Sequence, residues 1–212
     1  MKKIFTDNKA FLISCVLLWI ILSVLMLTYS KAHLHIMLNG YHNKLLDFFF
    51  TYSTEVGSWV PFVVAAGLLF YRYSAAILVL VTQLLVTIPV QLLKKYIQEA
   101  RPKLFFEELH ISLPKVDGVD MLISTHSFPS GHTAAAFSMF LCLSIIVTKP
   151  IYKFMFFVVA LCVGFSRIYL SHHFVGDVFA GSVIGVLVTY IYYYIQQSFK
   201  PLWFEKRLIM KH

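Results

Sequence analysis

Three long stretches of this sequence contain no charged residue, and they constrain the fold more than any other feature. They cover residues 11–29, 73–93 and 178–195. Each approaches the roughly 20 apolar residues that a helix needs to cross the hydrocarbon core of a bilayer. Open strands in lipid would leave backbone polar groups without partners, so the stretches predict membrane-spanning α-helices.

Composition extends this prediction to the whole chain. Of the 212 residues, 59% are hydrophobic and 13% are charged, whereas a soluble domain carries about 25% charged residues. Three further apolar segments, at 57–71, 132–148 and 151–170, complete a set of six spans. We therefore expect an all-α, polytopic membrane protein with a single domain over 1–212. The first span is longer than the apolar core of a signal peptide, and no small-x-small cleavage site follows it. We therefore expect that it is not a cleavable signal peptide.

The distribution of Lys and Arg predicts the orientation of the spans. With six spans both ends of the chain lie on one side, and that side holds ten basic and two acidic residues. The opposite side holds eight of each, so the whole net charge of +8 lies on one face. By the positive-inside rule this face is cytoplasmic. The net positive charge of the chain therefore reflects its membrane topology and does not indicate nucleic-acid binding. The ten basic residues are Lys2, Lys3, Lys9, Arg72, Lys149, Lys153, Lys200, Lys206, Arg207 and Lys211.

Two connections on the opposite, extracytoplasmic side are longer than a turn requires. One covers 30–56 and the other covers 94–131. The polar residues near this face fall into three clusters, and polar groups at membrane depth tend to mark functional sites.

The first cluster ends the third span. Lys94 and Arg101 are seven residues apart, so an uninterrupted helix would place them within about 20° on one face. Pro102 favours a helix end just after Arg101. Two cations on one face suit a phosphate group, although snorkelling cations at a membrane edge give the same pattern.

The second cluster opens the fourth span with the residues Ser-Phe-Pro-Ser-Gly-His from Ser127 to His132. Gly131 allows a ligand to approach the backbone, and the first N–H groups of the following helix favour an anion. His132 would stand at the rim of this site, placed to donate a proton. The alternative is that Ser130 merely caps the helix and His132 is a loop histidine.

The third cluster joins the last two spans. His173 and Asp177 are four residues apart, hence neighbours on a helix, and a carboxylate beside an imidazole fixes its tautomer. Arg167 lies about 120° around an uninterrupted helix from His173, so the chain must bend if both contact one ligand. His172 points elsewhere and is the weaker candidate. Histidines also suggest a metal site, but the three cations would repel a metal ion.

Read in order, the clusters closely resemble the tripartite signature of the type 2 phosphatidic acid phosphatase superfamily. All three parts match at every defining position, and they cover residues 94–177. The matching motifs are Lys94-x6-Arg101-Pro102, Pro129-Ser130-Gly131-His132 and Ser166-Arg167-x5-His173-x3-Asp177.

The resemblance implies a membrane phosphatase that acts through a phosphohistidine and needs no metal or other cofactor. His173 would attack phosphorus, Asp177 would orient it, and His132 would protonate the leaving oxygen. Phosphate binding falls to Lys94, Arg101, Arg167 and the backbone of Ser130 and Gly131. Since His173 must be neutral and His132 protonated, we expect a bell-shaped pH profile of the catalytic rate.

The resemblance also implies a phosphorylated membrane lipid as substrate. Similar small members of the superfamily dephosphorylate lipid A, undecaprenyl pyrophosphate or phosphatidylglycerol phosphate, and we favour the first two. Two alternatives remain open: a lipid phosphotransferase that uses the same histidine, and a membrane transporter. A transporter would place its polar residues near the bilayer midplane, whereas these lie at span ends. The related vanadium haloperoxidases share the anion pocket but are soluble, which the hydrophobic composition argues against.

Overall fold

The computed structural model describes residues 7–199 and 201–208, and within them it contains helices and no strand. Lys2, Lys3, Lys200 and Lys211, four of the residues behind the orientation prediction, lie outside the described residues. The α-helices are α1 Lys9–Thr28, α2 Lys31–Asn39, α3 Lys44–Ser53, α4 Val60–Leu68, α5 Tyr73–Ile97, α6 Pro102–Glu108, α7 Gly131–Ile146, α8 Pro150–Tyr169 and α9 Val175–Ser198. Short 3-10 helices cover Thr54–Gly57 and Leu202–Glu205.

Four helical stretches are long and apolar enough to cross a membrane, among the residues that the structure describes. They are Lys9–Thr28, Tyr73–Glu108, Pro150–Tyr169 and Val175–Ser198. The predicted first, third, fifth and sixth spans are therefore confirmed as apolar helices. α7 has 16 residues and α4 has nine, shorter than a helix that crosses the core alone. Six spans thus remain a prediction.

The apolar residues that face outward identify the medium around the bundle. Along α1, Leu17, Ile20 and Leu27 are all more than half exposed. An apolar surface of this extent is a contact surface, and on helices of membrane-crossing length its partner is lipid. The chain is a multi-pass membrane protein. Cys15, Cys142 and Cys162 are free thiols inside α1, α7 and α8.

α7 lies at the centre of the bundle and packs most closely on α9. A Cβ atom added to Gly181 would lie 2.5 Å from the carbonyl oxygen of Ser130, and one added to Gly185 would lie 2.4 Å from that of Ala134. Any larger side chain at either glycine would push the two helices apart. This close approach fixes the start of α7 against the start of α9.

The bundle has two ends, which we name by their residues. At the Lys153 end, Asn8 before α1 contacts Ser144 of α7 and Lys153 of α8. At the opposite end, which we call the motif end, Arg101 contacts the connection between α8 and α9. The end of α5 and the start of α7 also lie there, so all three polar clusters of the sequence meet at one end of the bundle.

Candidate active site

The end of α5 corrects one sequence prediction. Lys94 and Arg101 do not share a helix face, because α5 ends at Ile97 and Gln98 adopts a left-handed conformation with φ of 47°. Arg101 is extended, as the residue before a proline tends to be. The two side chains nevertheless converge. Nζ of Lys94 and Nη2 of Arg101 donate to the same carbonyl oxygen, that of His126, at 2.7 and 3.3 Å.

Arg101 connects the first cluster to the third. Its Nη1 donates to the carbonyl oxygen of His172 at 2.8 Å and lies 3.5 Å from Nε2 of His173. Its Nε donates to Oγ of Ser124 at 2.9 Å. These bonds hold Arg101, a residue that is only 8% exposed, against the imidazole of His173.

The chain bends between Arg167 and His173, as the sequence required if both were to meet one ligand. α8 ends at Tyr169, and Ser171 takes a left-handed φ of 52°. The N–H groups of His172 and His173 then both donate to the carbonyl oxygen of Arg167, at 2.9 and 3.0 Å. The turn thus brings the backbone of His173 back to the end of the helix that carries Arg167.

His173 and Asp177 are paired, but a continuous helix does not pair them. α9 begins at Val175, after His173, and Nδ1 of His173 lies 3.2 Å from Oδ2 of Asp177. The same carboxylate oxygen accepts the N–H of Phe174 at 2.9 Å and the hydroxyl of Ser127. Three donors thus hold one buried carboxylate in place beside the imidazole.

The contacts of His173 indicate which ring nitrogen carries the proton. Burial lowers the pKa of His173 well below its usual value, and the charges of Arg167, Arg101 and Lys94 lower it further. The ring is therefore neutral at neutral pH. A guanidinium can only donate, so Nε2, the nitrogen beside Arg101, is the unprotonated one. Nδ1 then carries the hydrogen and directs it to Asp177.

His172 has different neighbours. Its Nε2 lies 3.1 Å from the carbonyl oxygen of Asp120, on the connection between α6 and α7. Burial lowers the pKa of His172 to about 4, with a further contribution from Arg167, while the bond to Asp120 opposes the shift. Among the described residues no hydrogen bond joins His172 to Asp177, and its ring contacts the backbone of Asp120 instead.

Ser130 caps α7, so that part of the alternative interpretation is confirmed. Its hydroxyl oxygen accepts the N–H of Thr133 at 3.4 Å and the hydroxyl of Thr133 at 2.8 Å. Its own N–H donates to the carbonyl oxygen of Asp177 at 3.0 Å, which joins the second cluster to the third. His132 is not a loop residue but lies in the first turn of α7.

The surroundings of Gly131 and His132 leave the start of α7 accessible. A Cβ on Gly131 would meet only Val90, at an ordinary 3.6 Å. His132 is half-buried and close enough to Arg167 and Arg101 for their charges to act on it.

The charge at this site is unbalanced. Among the residues that the structure describes, Lys94, Arg101 and Arg167 form no salt bridge, and Nε of Arg167 has no hydrogen-bond partner. Buried charges are normally paired, so a cluster of three unpaired cations favours an anionic ligand. Within the same residues no group of three or more His, Cys, Asp or Glu side chains could hold a metal ion.

Three supporting contacts were not predicted. Ser127 bonds to Asp177, Ser124 bonds to Arg101, and the hydroxyl of Thr54 accepts Nη1 of Arg167. Ser127 stands in the second cluster, where its spacing gave no role. Thr54 precedes α4, far from any motif, and its contact depends on tertiary packing alone.

Comparisons with known proteins agree with this geometry. The model of the PAP2 superfamily matches residues 73–201. The chain is 29% identical over 184 residues to a lipid A 4'-phosphatase of Porphyromonas gingivalis, covering 82% of this chain and 75% of that protein. It is 30% identical over 142 residues to a phosphatidylglycerophosphatase B of Bacillus subtilis, covering 61% of this chain and 62% of the relative. The crystal structure of Aquifex aeolicus LpxE superposes with a TM-score of 0.66 at 32% identity, covering 77% of this chain and 94% of that one.

Proposed function

The chain belongs to the PAP2 superfamily and is a phosphatase of that family; on this premise we propose that it removes phosphate from a membrane lipid through a phosphohistidine on His173, without a metal ion. The observation that carries the proposal is the group of three unpaired cations beside the His173–Asp177 pair. A nucleophile held next to a cluster of cations is the arrangement that phosphoryl transfer requires.

Nε2 of His173 is the nucleophile. Its lone pair forms the N–P bond, and the bond between phosphorus and the leaving lipid oxygen breaks. His132, at the start of α7, takes up a proton when the bound phosphate offsets the charges of Arg167 and Arg101, and it gives that proton to the leaving oxygen. Oδ2 of Asp177 accepts a hydrogen bond from the Nδ1–H of His173, at 3.2 Å from the nitrogen, and the carboxylate stabilises the positive ring that forms.

The second half of the reaction frees the enzyme. A water molecule gives its proton to the now neutral His132 as its oxygen attacks phosphorus. The N–P bond breaks, its electron pair returns to Nε2, and inorganic phosphate leaves. His132 thus serves as acid in the first half and as base in the second.

Phosphate oxygens are bound by Lys94, Arg101, Arg167 and the start of α7. The N–H of Ser130 is already bonded to Asp177, so Ser130 acts by capping the helix. The N–H groups of Gly131 and His132, in its first turn, then remain as donors at the positive end of the dipole. Fixed cations and dipoles of this kind neutralise the charge that a metal ion neutralises in other phosphoryl-transfer sites.

The site opens on the extracytoplasmic side, with six spans and both chain ends in the cytoplasm. At the Lys153 end, Lys9, Arg72, Lys149, Lys206 and Arg207 remain from the basic set within the described residues, and the positive-inside rule assigns that end to the cytoplasm. The motif end then lies level with the outer lipid headgroups.

Lipid A is the substrate that we propose first, with undecaprenyl pyrophosphate second. A relative that is 29% identical and covers 82% of this chain is named a lipid A 4'-phosphatase. Both candidates present a phosphate at headgroup level on an apolar anchor, which suits a site at the end of membrane helices.

The experiment that tests the proposal measures free phosphate from protein purified in detergent, with a metal chelator present throughout. Lipid A, undecaprenyl pyrophosphate and phosphatidylglycerol phosphate form the panel. We expect phosphate release from at least one, and a quenched reaction should yield an acid-labile, base-stable phosphoprotein.

Absence of phosphate release from every lipid would overturn the proposal. Turnover that depends on an added lipid acceptor, with little free phosphate, would instead indicate a phosphotransferase. Activity that is lost with the chelator and restored by a divalent metal would contradict the metal-independent mechanism.

A further inference from the structure

Helix α2 carries a polar face that the proposed mechanism does not use. Lys31, His35 and Asn39 are each four residues apart, so they lie along one side of the helix. His35 and Asn39 are fully buried, although the helix lies in a connection outside the four long apolar stretches. Buried polar residues at this spacing need a polar partner surface, and that surface is the connection between α8 and α9.

Asn39 holds the end of α8. Its Nδ2 donates to the carbonyl oxygens of Ile168 at 3.2 Å and Tyr169 at 2.6 Å. The last carbonyl groups of a helix have no partner within the helix, so an external donor fixes where the helix stops. The turn toward His173 starts at this point.

His35 contacts the middle of the turn. Its Nε2 lies 3.3 Å from Oγ of Ser171, the residue with left-handed φ. Its ring packs between Phe106 and Phe174, at 5.4 and 5.1 Å between ring centroids. Burial lowers the pKa of His35 to about 4, opposed by Asp177, so its ring is neutral and directional at neutral pH.

Lys31 holds the end of the turn and the adjacent connection. Its Nζ lies 3.9 Å from the centroid of the Phe174 ring, within cation–π distance, and it forms an ion pair with Glu99. The carbonyl oxygen of Glu99 accepts the N–H of Ser127, which in turn donates its hydroxyl to Asp177. One lysine thus contacts both the segment before Arg101 and the segment after His173.

We propose that the polar face of α2, formed by Lys31, His35 and Asn39, is a positioning element that holds the turn of residues 168–174 so that Nε2 of His173 faces the phosphate site. The inference rests on the proposed function of His173. The contacts of the polar face follow the turn in order. They lie at Ile168 and Tyr169, then at Ser171, and then at Phe174, so they stand on both sides of His173. None of the three side chains needs to touch the substrate.

The test replaces His35 by Leu, and His33→Leu is the matched control. His33 is a histidine of the same helix whose side chain is exposed. With p-nitrophenyl phosphate and dioctanoyl phosphatidate as substrates, we expect H35L to lower kcat by about 10- to 100-fold with little change in KM, since small misplacements of a reacting group cost this much. H33L should stay within about twofold of the wild type.

A second readout separates positioning from loss of fold. Without the contact to Ser171, His173 should leave Arg101 and Asp177, so the acidic limb of kcat/KM should move up toward the usual histidine pKa. The groups that face His173 are Arg101, Arg167, Lys94, His172 and Asp177, and all remain in H35L. A variant that is merely unstable would lose active enzyme without moving this limb. His35→Gln retains a polar group that can reach Ser171 and should recover kcat to within about threefold.

A third readout needs no turnover. The ¹⁵N shifts of the His173 imidazole report its tautomer in labelled protein, and we expect the Nδ1–H form in the wild type and a mixture in H35L. If H35L does not fold, Asn39→Asp, which keeps the shape but removes the donor, is expected to give the same three changes.

The inference is overturned if H35L or N39D matches H33L in kcat. It is also overturned if activity falls while the acidic limb of kcat/KM and the tautomer of the His173 ring stay unchanged. A wild type that releases no phosphate would overturn the function of His173, whereas an unchanged tautomer would overturn the positioning role.

Discussion

Lys153 and Arg167 are buried cations near opposite ends of the same helix, α8, and their surroundings differ. Lys153 is 3% exposed, and its Nζ donates to Oδ1 of Asn8 at 3.1 Å and to the carbonyl oxygen of Ser144 at 2.7 Å. Arg167 is 4% exposed, and Nε finds no partner in the described part of the chain. Its neighbour Arg101 carries the same sign of charge.

The difference separates a structural charge from a functional one. Burying a charge is costly unless hydrogen bonds or an opposite charge compensate for it. Neutral oxygens compensate Lys153, and the contact joins three segments at that end. At the motif end the like charges repel one another, and a bound anion would remove that cost. Variants at the motif end should therefore lose activity, whereas variants at the Lys153 end should lose stability.

The largest expected effect comes from the nucleophile itself. His173→Ala should lower kcat by ~10⁴-fold or more, because the covalent step has no substitute. His172→Gln should stay within about fivefold, since its ring bonds to a backbone oxygen of Asp120 and not to the reacting groups. Phosphate release from both purified variants checks this. If His172 proves essential and His173 dispensable, the third motif has been assigned to the wrong histidine.

His132 should show the next largest effect, and the effect should depend on the leaving group. His132→Asn should lower kcat for an alkyl phosphate by about 10²- to 10⁴-fold, the usual contribution of general acid–base catalysis. With p-nitrophenyl phosphate the leaving oxygen needs no proton, so the first turnover should stay fast and only hydrolysis of the phosphohistidine should slow. Stopped-flow recording should show a burst of about one nitrophenol per enzyme. A slow first turnover without a burst would show that His132 contributes to formation of the phosphohistidine by more than protonation of the leaving oxygen.

Arg167→Leu tests the unbalanced charge directly. We expect kcat/KM to fall by about 10²- to 10³-fold, as for the loss of one donor to a transition-state anion. The melting temperature should stay close to that of the wild type, because the variant also removes the repulsion with Arg101. If Arg167→Leu instead lowers the melting temperature and leaves kcat/KM of the folded enzyme nearly unchanged, Arg167 is structural, like Lys153.

The pH profile should reveal the cations around His173. Because its pKa lies well below the usual value, the acidic limb of kcat/KM should lie at correspondingly low pH, and kcat/KM should fall about tenfold per pH unit below that pKa. Removing a nearby positive charge raises the pKa, so Lys94→Met should move the acidic limb to higher pH. Ionisation of the substrate is the same for both proteins, so the difference belongs to the enzyme. An unmoved limb would show that Lys94 does not act on His173.

The parts that the sequence predicted correctly are those in which one element suffices. Charge-free runs predicted the apolar helices to within a few residues, because hydropathy is a local property. The bend between Arg167 and His173 followed from helix geometry and one shared ligand. The pairing of His173 with Asp177 was right, although a turn at Phe174 produces it where a helix was assumed.

The parts that it missed depend on contacts between elements. The shared helix face of Lys94 and Arg101 was wrong because the left-handed Gln98 ends α5, and no spacing rule reveals such a residue. The contacts of Thr54 and of the polar face of α2 join segments more than 100 residues apart. The 31/35/39 spacing of that face was present in the sequence, but without the fold nothing indicated its partner.

Lys153→Met should have the smallest effect on catalysis. Removing the ammonium leaves the carbonyl oxygen of Ser144 without this donor, which costs about 1–3 kcal/mol of stability and should lower the melting temperature by several degrees. Because no group at the Lys153 end touches the phosphate, kcat/KM per folded enzyme should stay within about twofold. The matched control Lys149→Met, at an exposed site next to α8, should change neither quantity. If K153M instead loses activity as Arg167→Leu does while keeping its melting temperature, the two ends are coupled and the division between structural and functional charge fails.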